Sequence, residues 1–172
     1  MSPEGARTIP MSVLLRQMAR LMTDELIERM TAAGFDHQSA THHPVFENID
    51  PAGTRVTVLA ARAGMTHQSM GELVRSMERL GYLETRVDPS DRRARLVALT
   101  STGQDIVRHA IREIADIERA WLERFHGAGF DVDLRGALMG ALRAFEAEHV
   151  DSDARSKVHL GPALPSAERS TP

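Results

Sequence analysis

At 172 residues with 42% apolar content, the chain suits one domain, or a small domain with a built-on part, and its 4% aromatic content requires a core of mostly Leu, Ala, Val, Met and Ile. The absence of cysteine excludes disulfides, thiolate nucleophiles, iron–sulfur clusters and cysteine-based redox sensing. The net charge is −3, yet residues 51–100 hold eight arginines against five acids, a balance of +3 that leaves −6 for the rest, so a basic module sits on an acidic body.

Residues 1–10 are expected to be a flexible N-terminus. The apolar stretch Ile9 to Leu15 is broken by Pro10 and Ser12 and ends at Arg16, so it is not a signal peptide. No apolar run approaches the length of a membrane span, and the expectation is a cytoplasmic protein without a membrane partner. Residues 11–50 are assigned to an N-terminal dimerisation helix and a connector helix. From about Pro10 a long helix carries Leu14, Leu15, Met18, Leu21, Met22, Leu26, Ile27 and Met30 on one stripe, and Gly34 ends it. A short helix from near Thr41 carries Val45, Phe46 and Ile49, with Pro44 in its first turn. Asp50-Pro51-Ala52-Gly53 is a turn. A very short strand with Arg55 and Val56 is expected next, then a helix from Val58 to Ala63 capped by Thr57.

Residues 51–100 read as helix, tight turn, helix and hairpin. The second helix spans about His67 to Leu80, with Met70, Leu73, Val74, Met77 and Leu80 on one side. Thr66 is its N-cap, and Gly64 and Gly81 supply left-handed caps before and after it. Tyr82 to Val87 alternates as a strand, and Arg95 to Leu99 is a second β-prone run. Between them, Asp88 to Ala94 reads as a charged loop, with Pro89 starting a turn and Arg92 and Arg93 at its tip. Residues 101–150 hold two helices for dimerisation, one from Thr100 to about Phe125 and one from about Asp131 to His149. Both are more apolar than packing on one small lobe requires. Residues 151–172 are a polar tail expected to be disordered. The fold class is mainly α with a small β-hairpin wing: a winged helix-turn-helix flanked by dimerisation helices.

The segments Gly64 to Met70, Met77 to Leu83, Asp88 to Arg95 and Leu99 to Gly103 resemble the MarR family of winged helix-turn-helix regulators. The Asp-Arg-Arg core of the wing and its Leu-Thr exit are the specific part, because any two capped helices imitate a bare helix-turn-helix. Residues 54–103 carry these motifs, and helices of suitable length extend the likeness to about residue 150. Gly71 and Glu72 depart from the pattern, where a basic or hydroxyl residue is more usual. The resemblance implies a homodimeric transcriptional regulator, usually a repressor, that binds a pseudo-palindromic operator in double-stranded DNA and is released by a small, often aromatic, effector.

The residues then take roles by chemistry. Thr66, His67, Gln68, Ser69 and Arg75 sit on or before the exposed side of the reading helix, where Gln68 suits adenine and Arg75 suits guanine or phosphate. Glu72 either accepts from cytosine or pairs with Arg75 three residues on. Arg92, Arg93 and Arg95 suit phosphates or a narrow minor groove, and Asp91 fixes an arginine's direction. His42, His43 and Phe46 are expected to border an effector pocket of the kind the resemblance implies. A metal-responsive alternative uses His42, His43 and His109, although their spacing is not a closed zinc set. A winged-helix module that binds protein and not DNA is a further alternative; it would be expected to lose the basic tip. No nucleophile elbow, phosphate loop or metalloprotease helix is present, so neither an enzyme nor a cofactor is expected.

Overall fold

A computed structural model describes residues 9–36 and 39–148. The disorder expected of the polar tail and the flexibility expected of residues 1–8 fall outside the described residues.

Helix α1 runs Met11–Ala32, with Pro10 at its N-cap, and ends where Gly34 takes φ +90°. Only Leu26 and Met30 of its apolar stripe are buried, while Leu14, Leu15 and Leu21 are 44%, 43% and 55% exposed. A 3-10 turn, Ala40–His42, leads into a short α2, His43–Phe46, with Pro44 in its first turn. Val45 and Ile49 drop from this segment into the core.

The next segment differs from the sequence expectation. Thr54, not Arg55 and Val56, makes the single bridge to the hairpin, with its N–H and C=O bonded to Val97 at 2.8 and 2.9 Å. Arg55 is the N-cap of α3, Val56–Arg62, and Thr57 lies inside its first turn and caps nothing. The pair of hydrogen bonds at Thr54 fixes the last extended residue, so the helix begins earlier than a Thr57 cap would allow.

α4, His67–Arg79, follows a turn in which Gly64 takes φ +63°. Thr66 Oγ1 accepts from Ser69 N at 3.1 Å, as an N-cap should. Met70, Val74 and Met77 are buried on one side of α4, against a core that includes Leu59, Val97 and Ile106.

Two antiparallel strands, β1 (Leu83–Asp88) and β2 (Asp91–Leu99), pair from Leu83↔Leu99 to Val87↔Arg95. The charged loop expected over residues 88–94 is therefore reduced to Pro89 and Ser90. Asp88 Oδ1 accepts from the backbone N–H and hydroxyl of Ser90 at 2.8 and 2.6 Å, which closes the turn on itself. Arg92 and Arg93 are strand residues beside the turn, not loop residues at its tip.

α5, Ser101–Gly127, starts at Thr100, whose hydroxyl accepts from Gly103 N and donates to the Gly81 carbonyl. Thr100 N also donates to Tyr82 O at 3.1 Å, so the start of α5 is pressed onto the start of the wing. α5 packs on α1, where Arg29 joins Glu113 at 3.3 Å. α6, Leu134–Glu148, has no buried residue, and Leu138 and Phe145 on it are exposed. No described helix is long and apolar enough to cross a membrane.

Candidate nucleic-acid interface

Gln68, Glu72, Arg75 and Arg79 follow one another along α4 at steps of four, three and four, and all are exposed. At the helical period these four fall within about 60° of one another, on the side away from Met70, Val74 and Met77. A shallow depression of about 590 Å³ along this face is lined by Glu72, Arg75, Glu78 and Arg79. Gln68 Nε2 donates to Glu72 Oε1 at 3.2 Å. Thr66 Oγ1 donates to Ser69 Oγ at 2.9 Å, so those two hydroxyls are tied to each other at the start of the helix. His67 is exposed beside them.

The arginines of the lobe divide into two sets. Arg55, Arg62 and Arg86 are fastened. Arg55 donates through Nε and Nη2 to Asp88 Oδ2 at 3.0 and 2.6 Å. Arg62 bridges Asn48 O and Asp50 Oδ2 at 2.8 and 2.9 Å, and Arg86 reaches Ala52 O at 2.6 Å. The side chains of Arg75, Arg79, Arg92, Arg93 and Arg95 are exposed and make no hydrogen bond or ion pair with the described residues. Those five guanidiniums are open to an external anion, and they lie on α4 and the wing.

Sequence reasoning missed the fastened set, and no spacing signal reveals it, since Arg55 and Asp88 are 33 residues apart. It also left Asp88 without a role, although Asp88 holds Arg55 more closely than Asp91 does. Asp91 Oδ2 stands 3.7 Å from Arg55, while its Oδ1 accepts from the Arg93 backbone N–H at 3.0 Å. Asp88 is 5% exposed, and the Ser90 hydroxyl, the Arg55 guanidinium and the Ser90 N–H hold its carboxyl down at about 2.

The histidines occupy a different region. His42 is 6% exposed and meets Tyr82 edge-on with ring centroids 6.1 Å apart, and its Nδ1 has no hydrogen-bond partner. Phe46 packs on the same Tyr82 at 6.5 Å. His109 stacks at a tilt on Phe35, and its Nε2 lies 3.5 Å from Glu113 Oε1 without hydrogen-bond alignment. Among the described residues, no three His, Asp or Glu side chains converge to hold a metal ion.

Burial pushes the His42 imidazole below its ordinary value, with repulsion from His43 adding to it, and burial lowers His43 likewise. A histidine whose folded pKa is depressed takes up its proton more readily in the unfolded chain, whose value is about 6.5. Its stabilising contribution is complete above about pH 6.5 and is lost as pH falls from there through the folded pKa. Melting temperature followed from about pH 8 to about pH 5 should therefore drop below about pH 6.5, and His42→Leu should flatten the drop. The neighbouring Glu47 carboxyl, pushed up by burial, works in the opposite sense in both proteins, so only the difference between the two curves reports His42. Identical curves would refute a neutral buried His42.

A family model described as MarR family matches residues 38–94. No curated protein sequence matches the chain. Its fold recurs in solved structures of low identity. CouR from Rhodococcus jostii RHA1, bound to p-coumaroyl-CoA, is 19% identical with a TM-score of 0.58 over 80% of this chain and 90% of that one. The S. aureus MepR–DNA complex is 17% identical with a TM-score of 0.58 over 85% of this chain and all of that one (100%). PcaV from Streptomyces coelicolor, in complex with its natural ligand, is 20% identical with a TM-score of 0.58 over 87% of this chain and 99% of that one. The family match covers α2, α3, α4, β1 and the start of β2, the segment that bears all but one of the open guanidiniums, and over that segment the chain resembles the MarR family.

Proposed function

We propose that this protein is a homodimeric, sequence-specific DNA-binding transcriptional regulator of the cytoplasm, a repressor released from its operator by a small aromatic ligand. The observation that carries the reading is the pairing of an outward polar stripe on α4 with wing guanidiniums that have no partner among the described residues. Phosphate contacts from the wing supply affinity, and base contacts from α4 supply specificity. MepR is solved with DNA, and CouR and PcaV with small ligands, which supports both halves of the reading. His42 and Phe46, which both meet Tyr82, and the adjacent His43 are the residues nearest to an effector role.

Dimerisation runs through α1, α5 and α6. Leu14, Leu15 and Leu21 on α1, Leu122 on α5, Phe130 and Val132 before α6, and Leu138 on α6 all present exposed apolar surface. Such a surface on a single chain marks an interface. Sedimentation at micromolar concentration should show a dimer. Footprinting of that dimer on selected DNA should show two half-sites about 34 Å apart, one helical turn. A monomer with a footprint confined to one half-site would overturn the dimer reading. A failure to shift any duplex would overturn DNA binding and leave the protein-binding alternative. Phenolic acids that raise the melting temperature should also release the duplex; a shift that instead requires zinc and is abolished in His42→Ala would favour the metal alternative.

A further inference from the structure

The outward stripe of α4 carries a carboxylate where a reading helix faces base edges. Glu72 stands between Gln68 and Arg75 on that stripe, exposed, and it makes no ion pair with the described residues, Arg75 included. It is therefore not held there as the counterion of a neighbouring arginine. Its Oε1 accepts from Gln68 Nε2 at 3.2 Å, and its Oε2 accepts from none of the described residues. Gln68 keeps its own carbonyl oxygen and its second N–H, the acceptor–donor pair that matches adenine N6 and N7.

A carboxylate brought into a major groove is repelled by phosphates and by the acceptors of guanine (O6, N7) and thymine (O4). Losing water there is costly unless a donor replaces it, and the donors on major-groove edges are the amino groups, N4 of cytosine and N6 of adenine. Every base pair holds one of these, so the strand on which it lies decides whether the carboxylate meets a donor or an acceptor.

We propose that Gln68 and Glu72 form one base-reading element in which Glu72 is the specificity-determining residue. It admits cytosine or adenine on the strand facing the middle of α4 and rejects guanine and thymine there. Glu72 lowers affinity for DNA in general and raises it for the correct site, so it acts through exclusion. This inference rests on the DNA-binding reading above.

The test is selection of bound sequences from a random duplex library by the full-length protein and by Glu72→Gln, with affinities for one random duplex measured alongside. Gln at this position keeps an acceptor for Gln68 and removes the charge. The wild-type protein should enrich cytosine or adenine at one position of each half-site. Glu72→Gln should lose that preference by roughly tenfold and bind the random duplex several-fold more tightly. The same preference at every position in both proteins would overturn the inference while DNA binding stands. Failure of the wild-type protein to enrich any sequence would overturn both readings.

Discussion

Arg93→Ala will weaken binding to operator and to random duplex by similar factors. Its guanidinium is exposed on β2 beside the turn with no partner among the described residues, so it can approach a phosphate without reading a base edge. Each phosphate contact adds about 0.9 to the salt slope of log affinity through counterion release. A dimer carries the residue twice, so the slope should flatten by about two units, and the loss should be greatest at low salt. If the side chain instead enters a narrow minor groove, the loss will be larger on A·T-rich flanks. Gln68→Ala is the contrast. It carries no charge, so the slope and the random-DNA affinity should hold, while the operator complex loses roughly 1–3 kcal/mol per bidentate contact. Salt titrations of both variants on both duplexes make the comparison. An unchanged slope for folded Arg93→Ala removes the wing from the interface, and a loss of random-DNA affinity in Gln68→Ala removes the division of labour.

Gly103→Ala will destabilise the fold, against what helix propensity predicts. Inside a helix, Ala is favoured over Gly by about 1 kcal/mol. At position 103 a Cβ would stand 2.2 Å from the Tyr82 carbonyl oxygen, a backbone atom already accepting from Thr100 N, and 3.1 Å from the Leu99 side chain. Neither strand nor helix can withdraw without breaking the Thr100 cap, so overpacking of about 1–3 kcal/mol or more outweighs the propensity gain. Gly71→Ala is the control in the same lobe. Its Cβ would meet only Arg75 Nη1 at 3.5 Å, so it should stabilise α4 by up to about 1 kcal/mol. Opposite signs in denaturant titration confirm the close approach of α5 to the wing; two stabilising substitutions would refute it. Gly71→Ala also tests whether that glycine serves DNA, since a weaker complex from a more stable protein would mean the backbone there approaches the groove.

The parts of this fold that were legible in the sequence are those set by neighbours in the chain. The Thr66 cap, the left-handed glycines at 64 and 81, and the Met70, Val74, Met77 stripe of α4 all depend on residues within a few positions. The wing was misjudged because Asp88 folds its own side chain back to Ser90, so a run of polar residues that reads as loop closes in two residues. The start of α3 was misplaced because it is set by Val97, more than forty positions away. The fastened arginines were invisible for the same reason: charge counts cannot separate an arginine that serves the fold from one that serves a ligand. The stripe on α1 was legible as a stripe, but periodicity does not say what covers it, and within one chain only its second half is covered.

The fastening of the wing has a mechanical consequence. Thr54 pins β2 at Val97 and Arg55 pins the turn at Asp88, so the hairpin is tied at two points to the start of α3 and a tilt of one would carry the other. The swing has its fulcrum at the crowded joint of Tyr82, Thr100 and Gly103, which lies at the end of the hairpin farthest from Arg92. From there to the turn at Asp88 is five strand steps at about 3.3 Å each, so a tilt of about 10° carries a guanidinium at that end about 3 Å. That is enough to pull it off a phosphate oxygen, while the end of α4, close to the fulcrum, barely travels. A molecule wedged near His42 and Tyr82 would therefore work at the short end of a lever whose long end carries the open wing guanidiniums.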